Sequence, residues 1–377
     1  MARLRTILAK PVLWAAAKFS SKPNRKRIFE ALTKLCTSIH QHPGKRGLVI
    51  PFELHTGKFI IFSDQHKGNR NGADDFKQAE ANYLEALAYY SDNDFRFINL
   101  GDSEELWENS IWKVKKYNKA TFEAEKKFLE HNNYVKIFGN HDLYWDTGLL
   151  SYWHLKSMFG EKVKVYEGVV LETVVCSLES GVNTLNAELT IFCTHGHQGD
   201  AQSDGNWFSK FFVAYIWAPL QSLLRINPNT PANNNEKKTL HNTIMYDWSA
   251  TQENMVLVTG HTHQPVFASL TYLESLYKKL QQAKHVKDDR SVNEVKAEIV
   301  QREKEFTTVS VDYMNMKPSY FNTGCCCFSD GDITGIEIAN GYIKLIKWSV
   351  VGGKSEKIEL EKISLWSLTR QLSRPQQ

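Results

Sequence analysis

The sequence has 377 residues, of which 42% are hydrophobic, enough for one large domain or for a domain with sizeable insertions. Its net charge of +4 is mildly basic and too small by itself to indicate nucleic-acid binding. No uninterrupted apolar run reaches the ~18 residues that a membrane span needs. The composition therefore argues against a membrane-spanning protein and gives no support to a nucleic-acid partner.

Residues 1–50 are predicted to be a basic extension that precedes a domain at 51–350. Glu30 is the only acidic residue before position 46, and apolar residues are interleaved with Lys and Arg. One interpretation is a helix that lies on an anionic membrane surface. Another is a solvated basic tail with a small packing helix. A cleaved signal peptide is disfavoured, because Lys10 and Pro11 interrupt the apolar run.

The six cysteines include the run Cys325-Cys326-Cys327. Adjacent residues of a strand point to opposite faces, so this run does not suit a disulfide framework. We expect reduced, buried cysteines and an intracellular protein.

Five short runs of β-branched and aromatic residues each end in polar side chains that can bind metals. Ligands of open α/β sheets bind outside the carboxyl ends of the strands, so these five ends predict one shared site. The runs and their ends are Phe59–Phe62 with Asp64 and His66, Phe97–Leu100 with Asp102, Val135–Phe138 with Asn140, His141 and Asp142, Leu189–Thr194 with His195 and His197, and Val256–Thr259 with His261 and His263.

Helical spacing between the first runs, at 73–90 and 119–131, predicts a parallel sheet with crossover helices. Later in the chain, Asn340-Gly341 between two apolar runs predicts a tight β-hairpin. Residues 351–377 are predicted to be a weakly ordered C-terminal tail.

Two insertions interrupt this pattern, at about 200–254 and 272–306. The first contains an aromatic segment at 206–217, which predicts a helix packed on the sheet, a lid or cleft for a lipid-like substrate, or a membrane contact. The second is rich in Lys and Glu and predicts a solvated helical hairpin.

Aspartate, histidine and asparagine side chains together suit a pair of divalent ions about 3.5–4 Å apart, which can clamp a displacement at phosphorus. Such ligation fits manganese, iron, zinc, nickel or cobalt without choosing among them. Each motif alone is weak evidence for a metal site, whereas five of them in order at strand ends are strong evidence for one.

The five motifs resemble those of the calcineurin-like metallophosphoesterases. The resemblance implies an α/β fold, a four-layer α/β sandwich with helical insertions, and hydrolysis by metal-activated hydroxide. It also implies that His141 lies near the leaving group as proton donor or charge stabiliser. We expect Asp142 to be structural, orienting a neighbouring histidine. The implied ligands are Asp64, His66 and His263 for one ion, Asn140, His195 and His261 for the other, and Asp102 as the bridge.

Three of the motifs and a fourth segment, Phe321-Asn-Thr-Gly324, are also similar to blocks of the UDP-diacylglucosamine pyrophosphohydrolases, in which Glu105 and Trp107 have counterparts. This chain departs from that pattern in its length and in His141, where those enzymes commonly carry Arg. We expect Glu105, Trp107, His197 and Trp207 to contact the substrate.

The sequence thus predicts a phosphoric ester hydrolase that acts on a phosphodiester, pyrophosphate or phosphomonoester, with a lipid- or nucleotide-linked substrate. Two divalent ions are expected as cofactors, manganese first. A nuclease of the same fold and a non-catalytic scaffold are the alternatives. We expect a small-molecule substrate, no nucleic acid, and a cytoplasmic location with peripheral membrane contact left open.

Overall fold

The computed structural model describes residues 23–72, 74–174, 189–199, 235–286, 288–302 and 316–373. The strands in these ranges are β1 Gly47–Phe52, β2 Phe59–Phe62, β3 Arg96–Leu100, β4 Tyr134–Ile137, β5 Val165–Tyr166, β6 Gly168–Thr173, β7 Thr190–Thr194, β8 Met255–Thr259, β9 Val266–Phe267, β10 Leu270–Thr271, β11 Tyr320–Asn322, β12 Ile333–Ala339, β13 Tyr342–Val351 and β14 Lys354–Ser364. The helices are α1 Arg25–Gln41, α2 Phe76–Asp92, α3 Ile111–Tyr117, α4 Lys119–Glu130, α5 Tyr144–Thr147, α6 Ser151–Phe159, α7 Asn235–Ala250, α8 Tyr272–His285, α9 Asp289–Arg302 and α10 Leu365–Leu372.

These strands form two mixed sheets. The parallel pairing that the helical spacing predicts is confirmed for β2, β3 and β4. One sheet has the order β1-β6-β7-β8-β11-β9-β10 and the other the order β14-β13-β12-β2-β3-β4-β5. Residues such as Ile61 and Ile98 of one sheet and Ile191 and Val258 of the other lie in one buried cluster between them. The five motif strands are therefore divided, with β2, β3 and β4 in one sheet and β7 and β8 in the other.

Helices cover the outer faces of both sheets. On one side, Tyr83 of α2 and Phe128 of α4 pack with Phe62 of β2. On the other, residues of α1 and Trp248 of α7 pack with Phe192 of β7. The predicted four-layer α/β sandwich is thereby confirmed. Among the helices that the structure describes, none is both long and apolar enough to cross a bilayer.

The described part of the N-terminal extension is integrated into the fold. The Asn24 side chain caps α1 by accepting a hydrogen bond from the Arg27 amide. Leu32 and Leu35 of this helix are fully buried, and β1 pairs in parallel with β6. The packing interpretation thus fits residues 25–41, and residues 1–22 lie outside the described ranges.

The expectation of a weakly ordered tail after residue 351 is wrong for residues 354–372. Strand β14 pairs with β13 along its length, and Leu365, Leu368 and Leu372 of α10 are buried in the central core. The strand was not predicted because most residues of β14 are polar, so it lacks the apolar run that indicates a buried strand. It lies at the edge of its sheet, where charged residues are favoured.

Two local predictions are confirmed. Asn340 and Gly341 join β12 to β13, and both have positive φ angles, 55° and 79°, as the two-residue hairpin turn requires. Helices α8 and α9 form the predicted helical hairpin, with Leu276, Leu280 and Ile299 between them.

A buried charge network lies beneath the site. Lys67 contacts Glu125 at 2.5 Å and Glu104 at 3.3 Å, and Lys136 contacts Glu104 at 2.9 Å. All four side chains are buried, and Trp145 donates a further hydrogen bond to Glu104 at 2.7 Å. Because buried charges are tolerated only when they are paired, each member of the network depends on its partners.

Replacing Lys136 with methionine is expected to lower the free energy of unfolding by about 3–5 kcal/mol, because it leaves Glu104 under-compensated in the interior. Urea denaturation monitored by circular dichroism measures this loss. Lys127→Met on the exposed face of α4 is the matched control and should change stability by less than about 0.5 kcal/mol. Equal stability of the two variants would contradict the role given to the network.

Candidate metal centre

The five motif strands end at one place between the two sheets. Asp64, His66, Asp102, His261 and His263 follow β2, β3 and β8, and all five have positive φ angles between 49° and 69°. Non-glycine residues rarely adopt this conformation, which costs about 1–3 kcal/mol and clusters at functional sites. The strain is imposed where the chain must turn sharply to direct these side chains inward.

Two groups of potential ligands adjoin one another. In the first, His263 Nε2 lies 3.2 Å from Asp64 Oδ1 and 3.1 Å from His66 Nε2. In the second, the ligand atoms of Asp102, His195 and His261 lie within 4.8 Å of each other. Asp102 Oδ2 is 3.2 Å from His195 Nε2 and 3.8 Å from His66 Nε2. Its carboxylate therefore lies between the two groups.

Three of the atoms expected to bind metal share one property within the described residues. Asp64 Oδ1, Asn140 Oδ1 and His195 Nε2 are buried and make no hydrogen bond of acceptable geometry within the part of the chain that the structure describes. A buried polar atom without such a bond costs about 1–3 kcal/mol. The convergence of such atoms from three different loops fits divalent ions, which prefer this mixture of oxygen and imidazole donors.

Glycines let the loops approach closely. A Cβ atom on Gly139 would lie 2.2 Å from Asp102 Oδ1, and one on Gly260 would lie 2.2 Å from Ser63 Oγ and 2.4 Å from Asp64 Oδ2. Any larger residue would displace a proposed ligand. This explains why a glycine precedes both Asn140 and His261.

The charges of the site compensate each other. Burial alone lowers the pKa of His195, but attraction to Asp102 and Asp64 outweighs burial and raises that pKa to about 9. Burial raises the pKa of Asp102, yet the positive charges of His195 and His141 hold it well below its usual range. Protons on the histidines thus neutralise the carboxylates, and bound cations would replace them.

Glu105 connects the centre to His141. Its carboxylate accepts hydrogen bonds from His66 Nδ1 at 2.8 Å and from His141 Nδ1 at 2.9 Å. The Trp107 ring stacks on the His141 ring, with 4.3 Å between centroids and 20° between planes. Burial lowers the pKa of His141, but Glu105 and Asp102 raise it overall. His141 is thereby fixed in orientation and favoured in its protonated form.

The remaining predicted residues have different surroundings. His197 is buried beside His195, and burial together with the charge of His195 lowers its pKa to about 3. Trp207 lies outside the described residues, as does the aromatic segment around it. Substrate contact by Glu105, Trp107, His197 and Trp207 stays a prediction.

Asp142 is structural, as expected, but the idea that it orients a histidine is wrong. Its carboxylate accepts backbone hydrogen bonds from Gly139 at 2.6 Å and from Ser103 at 2.9 Å. It therefore ties the turn that carries Asn140 to the one that follows Asp102. Glu105, which the sequence placed against the substrate, is the residue that orients His141.

Three contacts of the centre were missed in the sequence. Cys327 Sγ lies 3.8 Å from His263 Nδ1, and Cys325 belongs to the same group of potential ligands. His241 of α7 bonds the Gly196 carbonyl at 2.9 Å and lies 5.1 Å from the His261 ring. Asn322 donates to the Gly260 carbonyl at 2.7 Å. Of these residues, only Asn322 lies in a segment with a recognisable sequence pattern, Phe321-Asn-Thr-Gly324.

The cysteines in the described ranges are buried, as the sequence predicts. Cys36, Cys193, Cys325, Cys326 and Cys327 are free and buried. Burial raises the pKa of the Cys36 thiol to about 11, which makes that thiol unreactive.

Two solved structures share a low similarity with this chain. Vacuolar Protein Sorting 29 from Cryptosporidium parvum is 12% identical, with 82% of this chain and 99% of that chain covered and a TM-score of 0.31. A single mutant of Vps29 from Entamoeba histolytica is 13% identical, with 80% and 98% covered and a TM-score of 0.22. Scores this low carry no weight in the assignment. Among curated proteins, none matches the chain.

The chain also matches a model of a protein family. The model of the calcineurin-like phosphoesterases matches residues 57–265, which is more than half of the chain. The match includes the five strand ends and both groups of potential ligands. The chain belongs to the calcineurin-like phosphoesterase family.

Proposed function

We propose that this protein is a dinuclear metal-dependent phosphoesterase that hydrolyses a P–O bond of a small phosphodiester, pyrophosphate or phosphomonoester. The observation that carries the proposal is a set of three buried atoms, on Asp64, Asn140 and His195, that make no hydrogen bond of acceptable geometry with any residue the structure describes. These residues lie on loops beside the bridging position proposed for Asp102. A lipid- or nucleotide-linked substrate fits the similarity to the UDP-diacylglucosamine pyrophosphohydrolases.

The ligand sets follow from the two groups. Asp64, His66 and His263 would hold one ion and Asn140, His195 and His261 the other, with Asp102 shared. Manganese is our first choice, with iron, zinc, nickel and cobalt as alternatives. Two such ions, when bound, lower the pKa of coordinated water and stabilise the charge that develops on the phosphoryl oxygens.

His141 would supply the proton for the leaving group. Its Nδ1 is held by Glu105, so Nε2 is the nitrogen that can donate to the departing oxygen. Because Glu105 also bonds His66, one carboxylate sets the position of a metal ligand and of the proton donor together. Trp107, stacked on the imidazole, prevents the ring from rotating away.

Replacing Glu105 with glutamine is expected to reduce turnover roughly 10–100-fold, the usual effect of losing a residue that orients a metal ligand. Activity requires protonated His141 and so falls as the pH rises through its pKa. Glu105 raises that pKa, so its neutralisation should move the alkaline fall in activity to lower pH. Glu123→Gln on the exposed face of α4 is the control. An unchanged pH profile would contradict the role of Glu105.

Hydrolysis of p-nitrophenyl phosphate and bis-p-nitrophenyl phosphate tests the proposed function. Metal-stripped protein is assayed with manganese, zinc, iron, nickel or cobalt added singly, and metal content is measured in parallel. Metal-dependent cleavage is expected, and the ratio of the two rates gives the mono- or diester preference. A protein that binds no metal under any of these conditions would refute the proposal and favour the non-catalytic scaffold.

A further inference from the structure

Four large hydrophobic side chains lie exposed near one another on α3 and around the start of α6. Leu149 is 98% exposed, Trp112 68%, Trp153 64% and Leu150 57%. Single exposed apolar residues are common on protein surfaces, whereas a cluster of them marks an interaction site. We call these four residues the aromatic surface.

The exposed residues lie on two neighbouring elements, α3 and the start of α6. The Trp112 ring lies 5.1 Å from the His154 ring, and the His154 amide donates to the Leu150 carbonyl at 3.1 Å. Lys115 of α3 bonds Ser157 of α6. Helix α3 and the turn that begins α6 are thus held side by side.

The exposure is not a consequence of poor packing. Helix α6 buries Leu155, Met158 and Phe159 against a core that also contains Val114 of α3. Both helices therefore bury one apolar face and expose a tryptophan on the other side, Trp112 on α3 and Trp153 on α6.

The charge around the aromatic surface indicates what kind of partner would bind it. Residues 111–119 and 147–164 contain seven lysines and one acidic residue, Glu161. Lys162 lies 5.7 Å from the Tyr152 ring, and Lys116 lies 5.5 Å from the Tyr117 ring. Trp and Leu that enter the acyl boundary, surrounded by lysines that reach lipid phosphates, are typical of peripheral binding to an anionic membrane.

The aromatic surface adjoins the candidate centre. Helix α3 begins four residues after Trp107, and α5 begins three residues after His141. The Leu106 amide also donates to the His141 carbonyl at 3.2 Å. Short segments of chain thus join the elements of this surface to Trp107 and His141.

We propose that the aromatic surface docks the protein on an anionic lipid bilayer. The lysines would provide long-range attraction to the lipid phosphates, and Trp112, Leu149, Leu150 and Trp153 would anchor the protein by insertion. The inference rests on surface residues and does not require the proposed hydrolysis, so its test uses no activity measurement.

Co-sedimentation with vesicles tests the proposal on the full chain. The protein should bind vesicles of phosphatidylcholine with phosphatidylglycerol and bind pure phosphatidylcholine much more weakly. Leu149→Ser with Trp153→Ser should weaken binding roughly tenfold or more, because each removes a buried apolar contact with the bilayer. Lys113→Gln with Lys116→Gln should weaken binding at low salt more than at high salt.

Trp366→Ser is the matched control. Trp366 is 61% exposed on α10 and has a basic neighbour, with Arg370 at 4.7 Å from its ring, but it lies outside the aromatic surface. This variant should bind vesicles as the wild type does. Undiminished binding by the Leu149→Ser, Trp153→Ser variant would overturn the proposal, as would self-association at this surface without any vesicle binding.

Discussion

Replacing Asp102 with asparagine is expected to lower turnover roughly 10³-fold or more and to reduce metal occupancy. Asp102 Oδ2 lies within 3.8 Å of ligand atoms in both groups, so loss of its charge weakens both ions together. Stabilisation of the phosphoryl group by metal ions is worth several kcal/mol, and each 1.36 kcal/mol is about tenfold in rate. Turnover with both chromogenic substrates, and metal analysis of the purified variant, measure the two effects.

The asparagine should keep the fold, because its side-chain oxygen can still accept the hydrogen bond that the His141 amide donates to Asp102 at 2.8 Å. Thermal unfolding of the variant checks this point. Asp92→Asn, at the exposed end of α2, is the control for the substitution itself. Wild-type turnover by the folded Asp102→Asn protein would show that Asp102 does not bridge.

Replacing His141 with alanine is expected to reduce turnover by roughly 10²–10⁴-fold, the usual contribution of a general acid, while both ions are retained. The loss should be larger for an alkyl phosphate than for p-nitrophenyl phosphate, because the weakly basic p-nitrophenolate leaves with little protonation. Steady-state kinetics on the two substrates, with metal content measured on the same samples, separate these effects.

His131→Ala, at the exposed end of α4, serves as the control for a histidine removed elsewhere. Loss of metal from His141→Ala would show that the residue is a ligand, which the group formed by His66, Glu105 and His141 could also support. An equal loss on both leaving groups would show that His141 stabilises charge without donating a proton.

Part of the centre was readable from sequence. Asp102 and His141 both follow an apolar strand closely, so a local pattern, a buried run that ends in a polar side chain, was sufficient to place them at this candidate centre. The same holds for Asp64, Asn140, His195, His261 and His263. The tight hairpin at Asn340-Gly341 was readable for the same reason, since two adjacent residues fix its turn.

Contacts between distant segments were not readable. His66 meets His263 across 197 positions of sequence, and Ser63 bonds Thr323 across 260. The cysteines beside His263 and the two histidines held by Glu105 depend on such encounters. The division of the motif strands between two sheets is of the same kind, because β7 and β8 are as apolar as β2 and β3.

The sequence by itself thus determined the α/β class, the order of the ligand-bearing strand ends and the chemical character of their side chains, because these are properties of short segments. Only the tertiary structure decided which sheet each strand joins, which carboxylate orients His141, and that β14 and α10 complete the core. It also decided that Trp112, Leu149, Leu150 and Trp153 are exposed and that α3 lies beside α6. Those properties arise from packing between segments that no local pattern connects.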